Sequence, residues 1–222
     1  MTDDVNTLPS LDPRSTALLN VHWQHDIVQR SGAFGASFAD EIEDGDVIGH
    51  GTELLAFARS RGVMVAHARA AYRPGYPDLI SNCALFERVA ETQSLQEGSP
   101  GAEIISEFAP SAGEPILSHA RTSAFLGTEL DLLLRTRGVR NLIVTGVATN
   151  VTVEGSARDA VNLGYRTIIA SDACAAADQQ AHQATLATFR LLGWAATSSE
   201  IEAALELSPR SRDSAAPVAG RP

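Results

Sequence analysis

From residue 16 onward the chain repeats a short β-branched or aliphatic run, a small-residue break and a helix-length stretch. That alternation points to parallel βαβ units, because helices cross over between strands that run the same way. The runs are Ala17–Val21, Val63–Ala66, Pro115–Leu117, Asn141–Thr145, Arg166–Ala170 and Trp194–Ala196, and they predict six strands. Between them, Gly49–Ser60, Leu126–Arg137, Val151–Leu163 and Ala181–Leu192 read as helices. In Leu126–Arg137, Leu126, Leu130, Leu133 and Leu134 share one face. Thr149 or Asn150 is placed to cap the Val151–Leu163 helix, and Gly164 to end it. Right-handed crossovers put helices on both faces of the sheet. The expected fold is therefore a single-domain, three-layer α/β/α arrangement, Rossmann-like, around a six-stranded parallel sheet.

The chain has 222 residues, enough for one α/β domain and too few for two. The expected division is an N-terminal extension over 1–15, the domain over 16–207, and a disordered tail over 208–222, where apolar content is almost nil. The rhythm breaks between Tyr72 and Gly113, where Pro74, Pro77, Pro100 and Pro110 punctuate the chain around a short amphipathic piece at Ile104–Phe108. That segment is expected to be a lid or an oligomer contact.

Composition removes several function classes. Seventeen basic against 27 acidic residues give a net charge of −10, so no basic footprint for nucleic acid exists. All the basic residues are arginine, and a mechanism that needs an amine side chain is excluded. No apolar run approaches the roughly 18 residues of a membrane span, and the polar opening does not read as a secretory leader. A cytoplasmic location without a membrane partner is expected. Cys83 and Cys174 are too scattered for a disulfide framework or a zinc knuckle and read as free thiols. No Gly-x-Gly-x-x-Gly or phosphate loop follows a strand, so no cofactor is expected.

Ligands of open parallel sheets bind beyond the carboxyl ends of the strands. There the sequence places His22-Trp23-Gln24-His25-Asp26 after the first strand and His67-Ala68-Arg69 after the second. Ser118-His119-Ala120-Arg121 follows the third, and Gly146-Val147-Ala148-Thr149-Asn150-Val151-Thr152 the fourth. Three of the six histidines thus occupy equivalent positions.

These segments, taken in order, resemble the isochorismatase-like hydrolases, also called cysteine hydrolases, over roughly residues 16–205. ALLNVHWQHDI is similar to the first strand with its Asp-x-Gln-x-Asp signature, and AYRPGYPDL and GSPGAEI to a connecting segment of one branch. SHARTSAFLGTELDLLLRTRGV is similar to the Lys-x-Arg-x-Ser-Ala-Phe motif, TGVATNVTVEGSARDAVNLGY to the nucleophile elbow, and SDACAA to the end of the fifth strand. The resemblance implies a six-stranded parallel sheet in strand order third-second-first-fourth, a homodimer or homotetramer, and a cis peptide at Val147–Ala148. It also implies an Asp/Lys/Cys triad, whose positions here hold His22, His119 and Thr152. The family's Asp-x-His metal pair falls near Ala68 and Ala70. Gln24 and Asp26 keep their family positions, Asp26 as a structural anchor.

The leading expectation is an enzyme that acts on a small carbonyl, amide or enol-ether compound by cofactor-free acid–base chemistry of His22 and His119, with no cysteine nucleophile. Thr152 is a candidate nucleophile. Amides of Val151 and Thr152, with Ala148, are expected to bind an oxyanion or carbonyl. Trp23, Tyr72, Arg73 and Phe125 are the expected substrate contacts. Two alternatives stand beside this: a metal-dependent hydrolase using His22, His67 and His119, and a catalytically inactive relative that binds a small molecule.

Overall fold

The computed structural model describes residues 7–207. The expected tail at 208–222 and residues 1–6 of the expected extension lie outside that range. Six strands form one sheet: β1 (Thr16–Val21), β2 (Met64–Ala70), β3 (Ile116–His119), β4 (Asn141–Val147), β5 (Arg166–Ala175) and β6 (Trp194–Ala196). Their order is β3-β2-β1-β4-β5-β6, and every pairing is parallel. Strands β1 and β4 are buried along their whole length, as near-continuous aliphatic runs should be when helices cover both faces.

Among the described residues eight α-helices complete the fold: α1 (His25–Val28), α2 (Ala39–Asp44), α3 (Val47–Ser60), α4 (Ala84–Thr92), α5 (Leu130–Thr136), α6 (Glu154–Asn162), α7 (Gln179–Phe189) and α8 (Ser198–Glu206). Alternate residues of each strand divide the core. Leu18, Val65, Ile143 and Ile168 face the layer of α3 and α8, where Leu54, Leu55 and Ile201 meet them. Ala17, Leu19, Leu142 and Val144 face α5, α6 and α7 through Leu134, Ala157 and Leu186. Leu11, within the expected extension, is fully buried, and its N–H donates to the Ala204 carbonyl at 2.9 Å.

Two local departures from the expected elements bear on the crevice beyond the strand ends. Helix α5 begins at Leu130 rather than Leu126, and Leu126 is exposed. The expected helix from Val151 opens instead as a π turn over Thr149–Val153, followed by α6. Neither Thr149 nor Asn150 caps it, because the turn begins after Ala148 with no side-chain cap. The irregular segment 72–113 contains α4, whose Phe86 and Val89 are buried against the domain; Ile104–Phe108 yields only a 3-10 turn at Ser106–Phe108.

The chain builds β1, β2 and β3 outward in one direction and then returns to lay β4 on the other side of β1. The crevice at such a reversal is where a doubly wound sheet binds its ligand. Gly146 makes the crevice compatible with a close strand: its φ is 125°, and a Cβ there would lie 1.9 Å from the Val21 carbonyl oxygen.

Candidate active site

His22 leaves β1 with a left-handed backbone (φ 58°), and its N–H donates to the Ala68 carbonyl at 2.9 Å. A non-glycine residue in that region is uncommon and is found disproportionately at functional sites. His119 ends β3, two strands away. The strand between them, β2, ends in small residues, Ala68 and Ala70, followed by Ala71. Their Nε2 atoms are 3.0 Å apart, and the rings stack with centroids 4.9 Å apart and planes 15° from parallel. His22 is 7% exposed and His119 3%.

The hydrogen-bond chain fixes where the protons sit. His119 Nδ1 lies 2.8 Å from the Arg121 carbonyl oxygen. A carbonyl only accepts, so Nδ1 carries the hydrogen and Nε2 of the neutral ring is a bare acceptor. With Nε2 of His119 accepting, the hydrogen in the 3.0 Å contact belongs to His22 Nε2. Burial lowers the His22 pKa well below the usual imidazole value and the adjacent His119 lowers it further, while the Val147 carbonyl opposes both. Burial likewise brings His119 down to about 4, against the favourable Arg121 carbonyl. At neutral pH the two rings form an uncharged pair that is equipped to accept a proton and holds none in reserve as an acid.

His22 opens onto a small cavity of about 80 Å³. Its apolar walls include Ile27, Phe34, Phe38, Phe86, Val89 and Leu95; its polar lining is His22, Arg121, Thr122 and Thr152. Tyr72 is part of the wall, as expected, with burial raising its hydroxyl pKa to about 12. Ala148, Val151 and Thr152 also line it, and the Val147–Ala148 peptide is cis. The expected pair of free amides is not formed: the Val151 N–H donates to the Ala148 carbonyl at 3.1 Å, because the chain tightens into the π turn there.

Three expected substrate contacts lie elsewhere. Trp23 is 1% exposed, stacks on Phe108 with centroids 3.9 Å apart, and donates from Nε1 to the Thr145 hydroxyl at 3.3 Å. It is a core residue of the α3 layer. Phe125 packs beside Tyr165 on the opposite face of the sheet. Arg73 is exposed in an outer cleft, where its backbone N–H meets Asp78. Arg121, whose guanidinium carbon lies 4.0 Å over the Phe86 ring, lines both this cavity and the outer cleft.

His67 does not join the other two imidazoles. It alternates on β2 to the α3 side, where its Nε2 is 2.9 Å from Glu114 Oε2, and Glu114 is clamped by Arg59 from α3. Burial resists the charge on Glu114, but bonds from Arg59, the Ser111 N–H and His67 bring its pKa to about 2. The three-histidine metal site is thereby ruled out by geometry. Among the described residues no group of three His, Cys, Asp or Glu side chains could hold a metal ion. The positions that the resemblance gives to a metal pair, Ala68 and Ala70, carry no donor atom, and the residues do not fit that ion.

Gln24 and Asp26 are anchors. Gln24 donates from Nε2 to the carbonyls of Ala70 and Ala102 and accepts from the Ala70 N–H, all at 2.8 Å. Asp26 accepts from the Leu95 N–H at 2.9 Å. Cys174 is buried on β5 with its thiol pKa pushed up by burial, and Cys83 is exposed; neither lines the cavity.

Comparison with known proteins is decisive on one point. Residues 16–201 match the Isochorismatase domain. The chain belongs to the isochorismatase family. A ureidoacrylate amidohydrolase of Methylobacterium radiotolerans is 31% identical over 215 residues, covering 90% of this chain and 83% of that protein. A cysteine hydrolase structure from Pseudomonas syringae pv. phaseolicola superposes with a TM-score of 0.82 at 29% identity, covering 93% of this chain and 99% of that one. The N-carbamoylsarcosine amidase of Thermoplasma acidophilum gives a TM-score of 0.70 at 25% identity, covering 85% and 99%. This isochorismatase-family chain keeps the sheet and elbow while carrying His22, His119 and Thr152 where the sequence resemblance places Asp, Lys and Cys.

Proposed function

We propose that the protein hydrolyses a small amide or ureido compound, with the His22–His119 pair as general base and no thiolate intermediate. The observation that carries this reading is the 3.0 Å contact between two buried, uncharged imidazoles, one of which lines the cavity. The names of the amidohydrolase and amidase relatives support the bond type.

In this reading the His22 ring takes a proton from the attacking water. The oxygen bonds to the substrate carbonyl carbon, and His119 Nε2 stabilises the resulting imidazolium by accepting from His22 Nε2–H. Collapse of the tetrahedral species breaks the C–N bond, and the same proton returns to the departing nitrogen. A carboxylate or carbamate and an amine result. Thr152, on the same cavity, is the alternative nucleophile; its proton would go to the same base.

Amide hydrolysis is preferred to enol-ether hydration for an electrostatic reason. Protonating an enol ether needs a standing acid, and both imidazoles are held uncharged near neutrality. The test is a panel of short amides, ureido acids and enol ethers assayed at pH 7. Turnover of the first two classes supports the reading; turnover of enol ethers alone, or ligand stabilisation without any consumption, contradicts it. Replacing Thr152 by alanine separates the nucleophiles: turnover survives if water attacks and is lost if the threonine does.

A further inference from the structure

Glu114 takes no part in the proposed reaction, yet three groups converge on its carboxylate two residues before β3 begins. Arg59 of α3 donates from Nε to Oε1 at 2.9 Å and from a terminal nitrogen to Oε2 at 2.8 Å. The Ser111 N–H donates to Oε2 at 2.9 Å, and His67 Nε2 lies 2.9 Å from the same oxygen. An ionised carboxylate only accepts, so His67 Nε2 carries the hydrogen of that contact. The His67 side chain is fully buried and that of Glu114 is 13% exposed. A two-pronged guanidinium contact with two further donors, largely out of water, fixes direction as well as distance.

Strand β3 has little else to hold its register. Among the described residues it is an edge strand of four residues paired with β2 alone, and of its side chains Ile116 and Ser118 are exposed while Leu117 and His119 are buried. Pro115, just before it, has no N–H to add to the ladder. At the Glu114 end the His67 N–H donates to the Pro115 carbonyl at 2.9 Å, so His67 grips two consecutive residues, one by its backbone and one by its ring. At the far end the Ala71 N–H reaches the His119 carbonyl at 3.3 Å. The clamped end is the tight one. In the observed register Ala70 pairs with His119, and a slip of one residue would turn His119 to the opposite face of the sheet. The 3.0 Å contact with His22 is also sensitive to shifts of about 0.5 Å, because hydrogen bonds weaken outside a narrow range.

We infer that Glu114 is a positioning residue for the imidazole pair: held by Arg59 and His67, it sets the register of β3 and so the place of His119 beside His22. The kinetic consequence rests on the proposed hydrolysis, while the placement of His119 stands on the clamp itself.

The experiment records the imidazole nitrogen signals of His119 at pH 7 by long-range proton–nitrogen spectra, with H119Q to assign them, and measures turnover of a short amide in the same proteins. The full chain is compared with E114A and E114Q. E114Q keeps the side-chain shape without the charge and serves where E114A does not melt cooperatively. The His119 Nε2 signal should move toward that of a free neutral imidazole, less in E114Q than in E114A, and kcat should fall by about tenfold or more in E114A with KM within about twofold. T197A, which removes the N-cap of α8, should lower the melting temperature and leave both readouts unchanged; a purely stabilising role for Glu114 would give that same pattern in E114Q. Unmoved His119 signals in a cooperatively melting E114Q, kcat unchanged while the signals move, or equal movement in T197A would each overturn the assignment. Displaced signals in a chain that turns over no amide would refute the hydrolase reading and leave the role of Glu114 standing.

Discussion

At the scale of single residues, the crevice holds the neutral pair His22 and His119 at positions where the sequence resemblance implies a carboxylate and an ammonium. Two buried imidazoles cost less to desolvate than a carboxylate and an ammonium, and the Arg121 carbonyl sets the tautomer of His119. That arrangement has a measurable consequence for stability. His119 has a folded-state pKa near 4 against an ordinary value of 6.5. The unfolded chain therefore binds more protons between these values, and stability is full above about pH 6.5 and falls as pH drops toward 4. The loss from His119 is on the order of 3 kcal/mol by pH 4. Urea unfolding of wild type and H119Q at pH 7 and pH 4.5 checks it, with the variant expected to show the shallower pH dependence. A second residue-scale outcome concerns sulfur. The C83S/C174A variant should retain wild-type turnover within about twofold, since neither thiol lines the cavity; loss of most activity, with folding intact by circular dichroism, would contradict the thiol-free scheme.

At the scale of elements, β2 lies between the strands that carry the two rings and ends in small residues. Ala70 lines the cavity with His22. An A70L variant fills that space and should lower turnover by about tenfold or more at constant fold, read from kcat and a thermal melt. Helix α8 offers a control far from the chemistry: Thr197 and Glu200 form a reciprocal capping box. T197A should lower stability by about 1 kcal/mol and leave turnover unchanged, measured by denaturant titration and assay. The Thr-Ser-Ser-Glu spacing ahead of IEAALEL is a signature the sequence carries openly, yet α8 is not among the expected helices. The strands are legible because six buried aliphatic runs leave a strong pattern. The histidines of the pair are legible because their strand-end positions coincide with a known motif order. The choice between Arg73 and Arg121 is not, since each follows a strand closely and only the loop path decides which of them borders the cavity. Nor is the fate of the Val151 amide, which depends on an extra residue in the turn rather than on composition. Trp23 and Phe125 illustrate the same limit. Adjacency to a strand end does not set the face, and Trp23 turns into the α3 layer while Phe125 sits across the sheet.

At the scale of the whole molecule, the fold brings the end of β1, the end of β3 and the elbow after β4 to one crevice, and the irregular segment 72–113 walls it with Phe86, Val89 and Leu95. The family membership accounts for this scaffold and leaves the three key positions to this chain's own chemistry. Among the described residues no helix is long and apolar enough to cross a membrane. Whether paired imidazoles move the proton in place of a thiolate-based triad is tested most directly by the pH dependence of kcat/KM for a short ureido acid in wild type, H22Q and H119Q. Wild type should lose activity on an acidic limb with its midpoint below 6.5. H22Q should fall by about 10²–10⁴-fold, the usual contribution of a general base, and H119Q should retain partial activity with a displaced limb. Unchanged turnover in H22Q, or the same pH profile in all three proteins, would contradict it.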